Sequence, residues 1–177
     1  MHRLFFAALP DADACAQLSA LVERQGRSCR TRWVRPARYH LTLAFLGSNA
    51  CFREAVAETA MRAAASVRTS AFTWKLDMMR GFCATRSPVV LGASQPFAPL
   101  QDLHRRLLDA LAGHGVDVPD TRRYVPHVTL GYGGPQAIEP LAVSPVYMAV
   151  ERFVLLHSVG GERTYRQLGC WSLTDCD

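Results

Sequence analysis

Apolar residues in this chain recur with two different periods, and the period switches often. Leu4 to Leu9 is a short apolar run closed by Pro10, the mark of a buried strand. Beyond it Leu18, Leu21 and Val22 recur at helical spacing, with Asp11 or Asp13 placed to cap a helix and Gly26 to stop it. Thr31 to Val34 predicts a second short strand. His40-Leu41-Thr42-Leu43-Ala44-Phe45-Leu46-Gly47 begins by alternating and is stopped by glycine, again a strand. The alanine-rich stretch from Cys51 to Val67 has Glu54, Glu58 and Arg62 at four-residue spacing, which predicts a helix with an exposed charged stripe. Phe72, Trp74, Leu76 and Met78 share one face of a half-buried strand, and Val89 to Leu91, between Pro88 and Gly92, is another. Leu100, Leu103, Leu107, Leu108 and Leu111 make an amphipathic helix of Pro96 to Ala112, ended by Gly113. Val125 to Tyr132 returns to strand and is broken by Gly133-Gly134-Pro135. Tyr147 to Val159 and Tyr165 to Leu173 predict two last strands around the Gly160-Gly161 turn.

Strands that follow strands directly favour antiparallel pairing, so the pattern reads as α+β rather than a doubly wound parallel sheet. Each half of the chain sets a long helix near a strand that opens His-x-Thr-x, which suggests an internal pseudo-repeat. With 177 residues, 49% of them apolar, and no Gly/Ser-rich linker, one domain over 1–177 with its own core is expected. No stretch approaches the roughly 20 apolar residues that cross a bilayer, and the first apolar run is too short for a signal peptide. Six cysteines stand far apart with no Cys-x-x-Cys pair, which argues against a zinc ribbon or disulfide scaffold and for buried small hydrophobes in a reduced, cytoplasmic protein. The formal charge is +5, and Lys75 is the single lysine. Arginine's planar fork suits phosphate, although a bias in genomic base composition produces the same excess.

The candidate chemistry lies in two phrases, His40-Leu41-Thr42-Leu43 and His127-Val128-Thr129-Leu130. Residues two apart on a strand point to one face, so each phrase presents an imidazole beside a hydroxyl and keeps its apolar residues on the other face. Two such strands side by side make a groove with two imidazoles and two hydroxyls. Opening a cyclic phosphodiester needs a base to take a proton from water and an acid to protonate the departing sugar oxygen. Histidine, with an ordinary pKa of about 6.5, serves either role near neutrality. Threonine hydroxyls donate to the non-bridging oxygens where charge builds. No cofactor and no metal is required, and neither phrase carries a carboxylate or cysteine to complete a ligand set.

With both phrases in hand, the sequence resembles the two-histidine (2H) phosphoesterase superfamily, in particular its RNA 2',3'-cyclic phosphodiesterases, long called 2'-5' RNA ligases. The likeness runs from Arg3-Leu4-Phe5-Phe6-Ala7 through Arg32-Trp33-Val34, His40 to Gly47, the leucine-rich helix after Phe97 and Tyr124 to Leu130, to Val154-Leu155-Leu156-His157-Ser158 and Tyr165. The resemblance implies a bilobal α+β fold, two antiparallel sheets lining a central cleft with helices outside and the two halves related by a pseudo-two-fold. It implies a metal-independent hydrolase that converts a terminal 2',3'-cyclic phosphate of RNA to a 2'-phosphate, and that acts on or forms 2'-5' linkages. By carry-over His40 is the acid and His127 the base, Thr42 and Thr129 hold the phosphate, and Phe45 stacks on the terminal base. The implied partner is RNA or a related nucleotide, with no membrane, and the protein works as a monomer. Two alternatives keep the phrases: a phosphodiesterase for a small cyclic nucleotide, and a module that grips phosphate without turnover.

One position departs from the family's pattern. An arginine five residues after the second histidine usually contacts the phosphate, and Tyr132 stands there. Tyr132 remains a candidate substrate contact, and Arg123, Arg122, Arg38 and Arg35 are the arginines nearest in sequence to replace the lost charge. His104 and His114 are expected to face solvent or cap carbonyls, and His157 to be structural. Trp33, Trp74 and Trp171 are expected in packing, with base stacking open to Trp33.

Overall fold

A computed structural model describes residues 1–26, 31–81, 88–119, 124–133 and 139–173. Its strands are β1 (His2–Ala8), β2 (Arg32–Trp33), β3 (Leu41–Asn49), β4 (Phe72–Gly81), β5 (Pro88–Gly92), β6 (Val128–Tyr132), β7 (Leu141–Val150), β8 (Arg152–Val159) and β9 (Arg166–Ser172). Its helices are α1 (Ala12–Gly26), α2 (Glu54–Ala64) and α3 (Ala98–Gly113), with a 3-10 turn at Pro36–Arg38. The fold is α+β, and every strand pairing is antiparallel. No helix among the described residues is long and apolar enough to cross a membrane.

Local chemistry explains the helix ends. Asp11 caps α1: its Oδ1 accepts the Ala14 N–H at 2.8 Å, and its Oδ2 accepts the Ala149 N–H at 3.0 Å, so the cap also ties α1 to β7. α2 buries Ala57, Ala60, Ala63 and Ala64, and α3 buries Leu100, Leu103, Leu107 and Leu111. Small residues on one helix and leucines on its neighbour let α2 and α3 pack closely, while α3 lies on β3 and α1 on β7.

The strands run β7-β4-β5-β6-β3-β1-β8-β9, with β2 attached to β6. Two four-strand antiparallel halves therefore meet at β6 and β3, which share the single register pair Leu41↔Val128. On either side of that pair, β1 and β3 bracket α1 as β5 and β6 bracket α3, in line with the pseudo-two-fold that the repeated phrases suggest. One face carries the main core of β-strand leucines, Phe6, Trp74 and Phe153 under the helices. The opposite face of the first half carries a small cluster of Phe5, Ala7, Val154 and Leu156, with Tyr165 against it.

Three differences from the sequence pattern have physical reasons. Tyr147 to Val159, one strand by pattern, is the end of β7 and all of β8, parted at Glu151 and paired to opposite halves. Flat, the order would put β7 and β8 about 29 Å apart at ~4.8 Å per strand; one connecting residue spans only about 3.4 Å, so the sheet bends sharply around the core. Second, β4 has an irregularity between Leu76 and Met78. Trp74 and Leu76 are in the core, but beyond the irregularity Met79, not Met78, takes the core position. Third, β6 begins at Val128 rather than Val125, because Pro126 has no N–H to pair and the Val125 carbonyl is taken by a ring nitrogen. Cys51 and Cys170 are exposed and Cys15 half-buried, a correction to the buried reading. Both exposed residues sit outside the main core, Cys51 before α2 and Cys170 on the edge strand β9. Cys29, Cys83 and Cys176 lie outside the described residues.

Candidate active site

The pairing of Leu41 with Val128 determines the site's layout. Both side chains are fully buried on the core face, so the residues on either side of them point the other way. Extending the antiparallel register by one residue sets His40 opposite Thr129 and Thr42 opposite His127. Two imidazoles and two hydroxyls thus alternate across one small patch of sheet. A cleft of about 950 Å³ opens beside it, and His40, Thr129 and Tyr132 line it together with Trp33, Arg38 and Tyr165.

Both histidines are held the same way. His40 Nδ1 lies 2.8 Å from the Arg38 carbonyl, and His127 Nδ1 lies 2.8 Å from the Val125 carbonyl. A carbonyl only accepts, so Nδ1 carries the hydrogen in each ring and Nε2 is the nitrogen that titrates. Burial is the largest influence on both and lowers their pKa below the ordinary histidine value, while the carbonyl bonds work the other way. The positive forms of His127 and Arg38 depress His40 further, and the Arg80 guanidinium depresses His127.

The first imidazole is also boxed by rings. Phe5 packs at 5.0 Å between centroids and Tyr165 meets it edge-on at 5.2 Å. Arg38 lies 4.4 Å over the Tyr165 ring and donates to the Glu162 carbonyl at 3.2 Å and to Ser158 Oγ at 3.3 Å. Behind the site, Tyr124 donates its hydroxyl to the Thr42 carbonyl at 3.1 Å and stacks on His104, whose Nδ1 is 2.7 Å from the Leu43 carbonyl. The segment that delivers His127 is thereby pinned to the strand that carries Thr42. His104 faces this strand instead of solvent or a helix end; His114 does bond a helix carbonyl, that of Ala110.

The other sequence-derived candidates separate. Phe45 is 38% exposed and pairs with Phe5, so it shares the cleft face but sits farther along β3, beyond a bulge. Tyr132 is 40% exposed on the cleft wall. Arg38 and Arg35 line the cleft, whereas Arg123 and Arg122 lie outside the described residues. Among the described residues no three side chains of metal-ligating type come together. His157 is buried, bonded to His2 at 2.8 Å and stacked on Phe52. Sequence reasoning did not find Phe5, Tyr165 or Arg80 as neighbours of the histidines; Phe5 and Tyr165 are brought there by β1 and by the β8–β9 turn, contacts that no spacing along the chain encodes.

Two carbonyl-tethered imidazoles at the meeting line of the two halves of one sheet, beside a cleft that His40 lines, define a class. The family model described as the 2'-5' RNA ligase superfamily matches residues 10–162, and the chain belongs to that 2H phosphoesterase superfamily. A crystal structure described as a phosphoesterase is 28% identical, superposes with a TM-score of 0.82, and the match covers 98% of this chain and 99% of that one. E. coli LigT, solved with 3'-AMP, is 28% identical at a TM-score of 0.80 over 98% of both chains. A Thermus thermophilus protein shares the fold at 22% identity and a TM-score of 0.76, over 97% of both chains. No curated protein sequence matches the chain.

Proposed function

We propose that this phosphoesterase hydrolyses the terminal 2',3'-cyclic phosphate of RNA to a 2'-phosphate, without a metal. The observation that carries the reading is the matched pair of imidazoles, each with Nδ1 tethered to the carbonyl two residues upstream and each facing a threonine of the other strand. His127 takes a proton from water as the oxygen attacks phosphorus. The bond from phosphorus to the 3'-oxygen breaks, and His40 gives its proton to that oxygen. Thr42 and Thr129 donate to the non-bridging oxygens. Phe45, 38% exposed, and Trp33, on the cleft wall, offer ring faces to a base. Bound 3'-AMP in E. coli LigT supports a nucleotide as the occupant. The protein works as a cytoplasmic monomer in this reading.

The test is a short RNA ending in a 2',3'-cyclic phosphate, incubated with the protein and chelator, with the product end identified. Conversion to a 2'-phosphate is expected, falling by roughly 10²–10⁴-fold in His40→Ala and in His127→Ala. Binding without conversion at any pH would instead leave a phosphate-gripping module.

A further inference from the structure

We propose that Arg80 supplies the positive charge that seats the substrate's phosphate against His127 and Thr129, from a strand where plain alternation would bury it. The inference rests on the phosphodiesterase reading and adds to it the group that replaces the charge missing at Tyr132.

The placement follows from the β4 irregularity. Continuing Trp74 and Leu76 by twos would carry position 80 into the core. After the irregularity Met79 pairs with Leu91 on the core side, while Arg80 pairs with Val90, and Val90 pairs with Thr129. Directly opposed residues share a face, so Arg80, Val90 and Thr129 form one row across three strands, and Thr129 is on the cleft. Asp77 fixes the irregular segment: its two oxygens accept from the Ser94 N–H at 2.7 Å and the Ser94 hydroxyl at 2.9 Å, and Lys75 pairs with it at 2.9 Å. The next carbonyl, that of Ala93, accepts from an Arg80 terminal nitrogen at 2.9 Å. A Cβ added at Gly92 would lie 3.9 Å from that nitrogen and 3.2 Å from the Pro126 carbonyl, which places the guanidinium beside the segment that delivers His127.

The guanidinium is incompletely satisfied. Its Nε is buried with no hydrogen-bond partner, and none of the ion pairs among the described residues includes it. An unpaired cation in a half-buried setting is costly, and an anion seated there removes the cost. Arg38, the candidate nearer in sequence to the first histidine, already donates to Glu162 and Ser158 and covers Tyr165. The lowering of the His127 pKa by the Arg80 charge, secondary to burial, agrees with that placement.

Inorganic phosphate is the probe, titrated into the full chain by calorimetry, with the His127 ring followed by NMR. Arg80→Met should weaken phosphate binding roughly ten- to hundredfold, and Arg80→Lys should weaken it less. The upward shift of the His127 titration midpoint on adding phosphate should shrink in Arg80→Met, because the anion is held less tightly beside the ring; an arginine with no part in seating phosphate would leave that phosphate-induced shift unchanged. Arg62→Gln, the same loss of charge on the exposed face of α2, should leave phosphate binding unchanged. Phosphate affinity within twofold of the parent in both Arg80 variants, with native circular dichroism, overturns the proposal. The readout needs no turnover, so failure of the RNA assay would sink the phosphodiesterase reading and leave this result to stand separately.

Discussion

At the scale of residues, the site depends on two imidazoles whose pKa values lie below the ordinary histidine value, so that each stays neutral to lower pH than a free imidazole. Burial lowers both pKa values, with neighbouring cations adding to it. A base works when neutral, above its pKa; an acid works when protonated, below its pKa. Both limbs of the kcat/KM profile, which reports the free protein, should therefore lie on the acid side of about 6.5. A bound phosphate favours imidazolium, so the kcat optimum should lie at higher pH than the kcat/KM optimum. Steady-state rates across a pH series check both, and a kcat/KM optimum above about pH 7 contradicts the account. The histidines and threonines were legible in the sequence because period-2 alternation around a repeated phrase places them without knowledge of the rest. Phe5, Tyr165 and Arg80 were not, since each reaches the site through pairing between strands distant in the chain.

Elements show where alternation fails as a guide. It finds the three helices and most strands correctly, because apolar stripes and their Gly, Pro and Asp boundaries are local. It fails at Leu76–Met78, where an irregularity exchanges Met78 for Met79 in the core, and at Glu151, where one residue divides two strands that read as continuous. Close contact at Gly131 is another feature the pattern leaves silent. A Cβ there would meet Thr31 Cγ2 at 2.7 Å, Trp33 Cε3 at 2.9 Å and the Arg32 carbonyl at 3.2 Å. Glycine lets β2 lie against β6 and hold Trp33 on the cleft wall. Gly131→Ala should displace β2 and cost about 1–3 kcal/mol, seen as a lower urea midpoint and an altered tryptophan emission; an unchanged midpoint would show that β2 yields freely.

For the whole molecule, stability should be acid-sensitive through histidine. His40, His104, His127 and His157 all have lowered pKa values, with burial the main cause in each. The unfolded chain, with ordinary values of about 6.5, binds protons that the folded chain refuses. Their contribution is complete above about 6.5 and is lost as pH falls through the folded values. Urea midpoints should decline between about pH 7 and 5 at constant m-value, and a flat series would refute this. The same whole-molecule view gives the Glu151 crossing a temporal meaning. β4 to β7 are consecutive and can pair in the order in which they are made, so the half bearing His127 is assembled from one unbroken stretch. The half bearing His40 is split around it: β1 and β3 come early, but β8, which covers the other edge of β1, comes only after β7. During synthesis the apolar edge of β1 waits exposed for a partner separated from it by the entire other half. His40 is translated before His127 and gains its finished surroundings last.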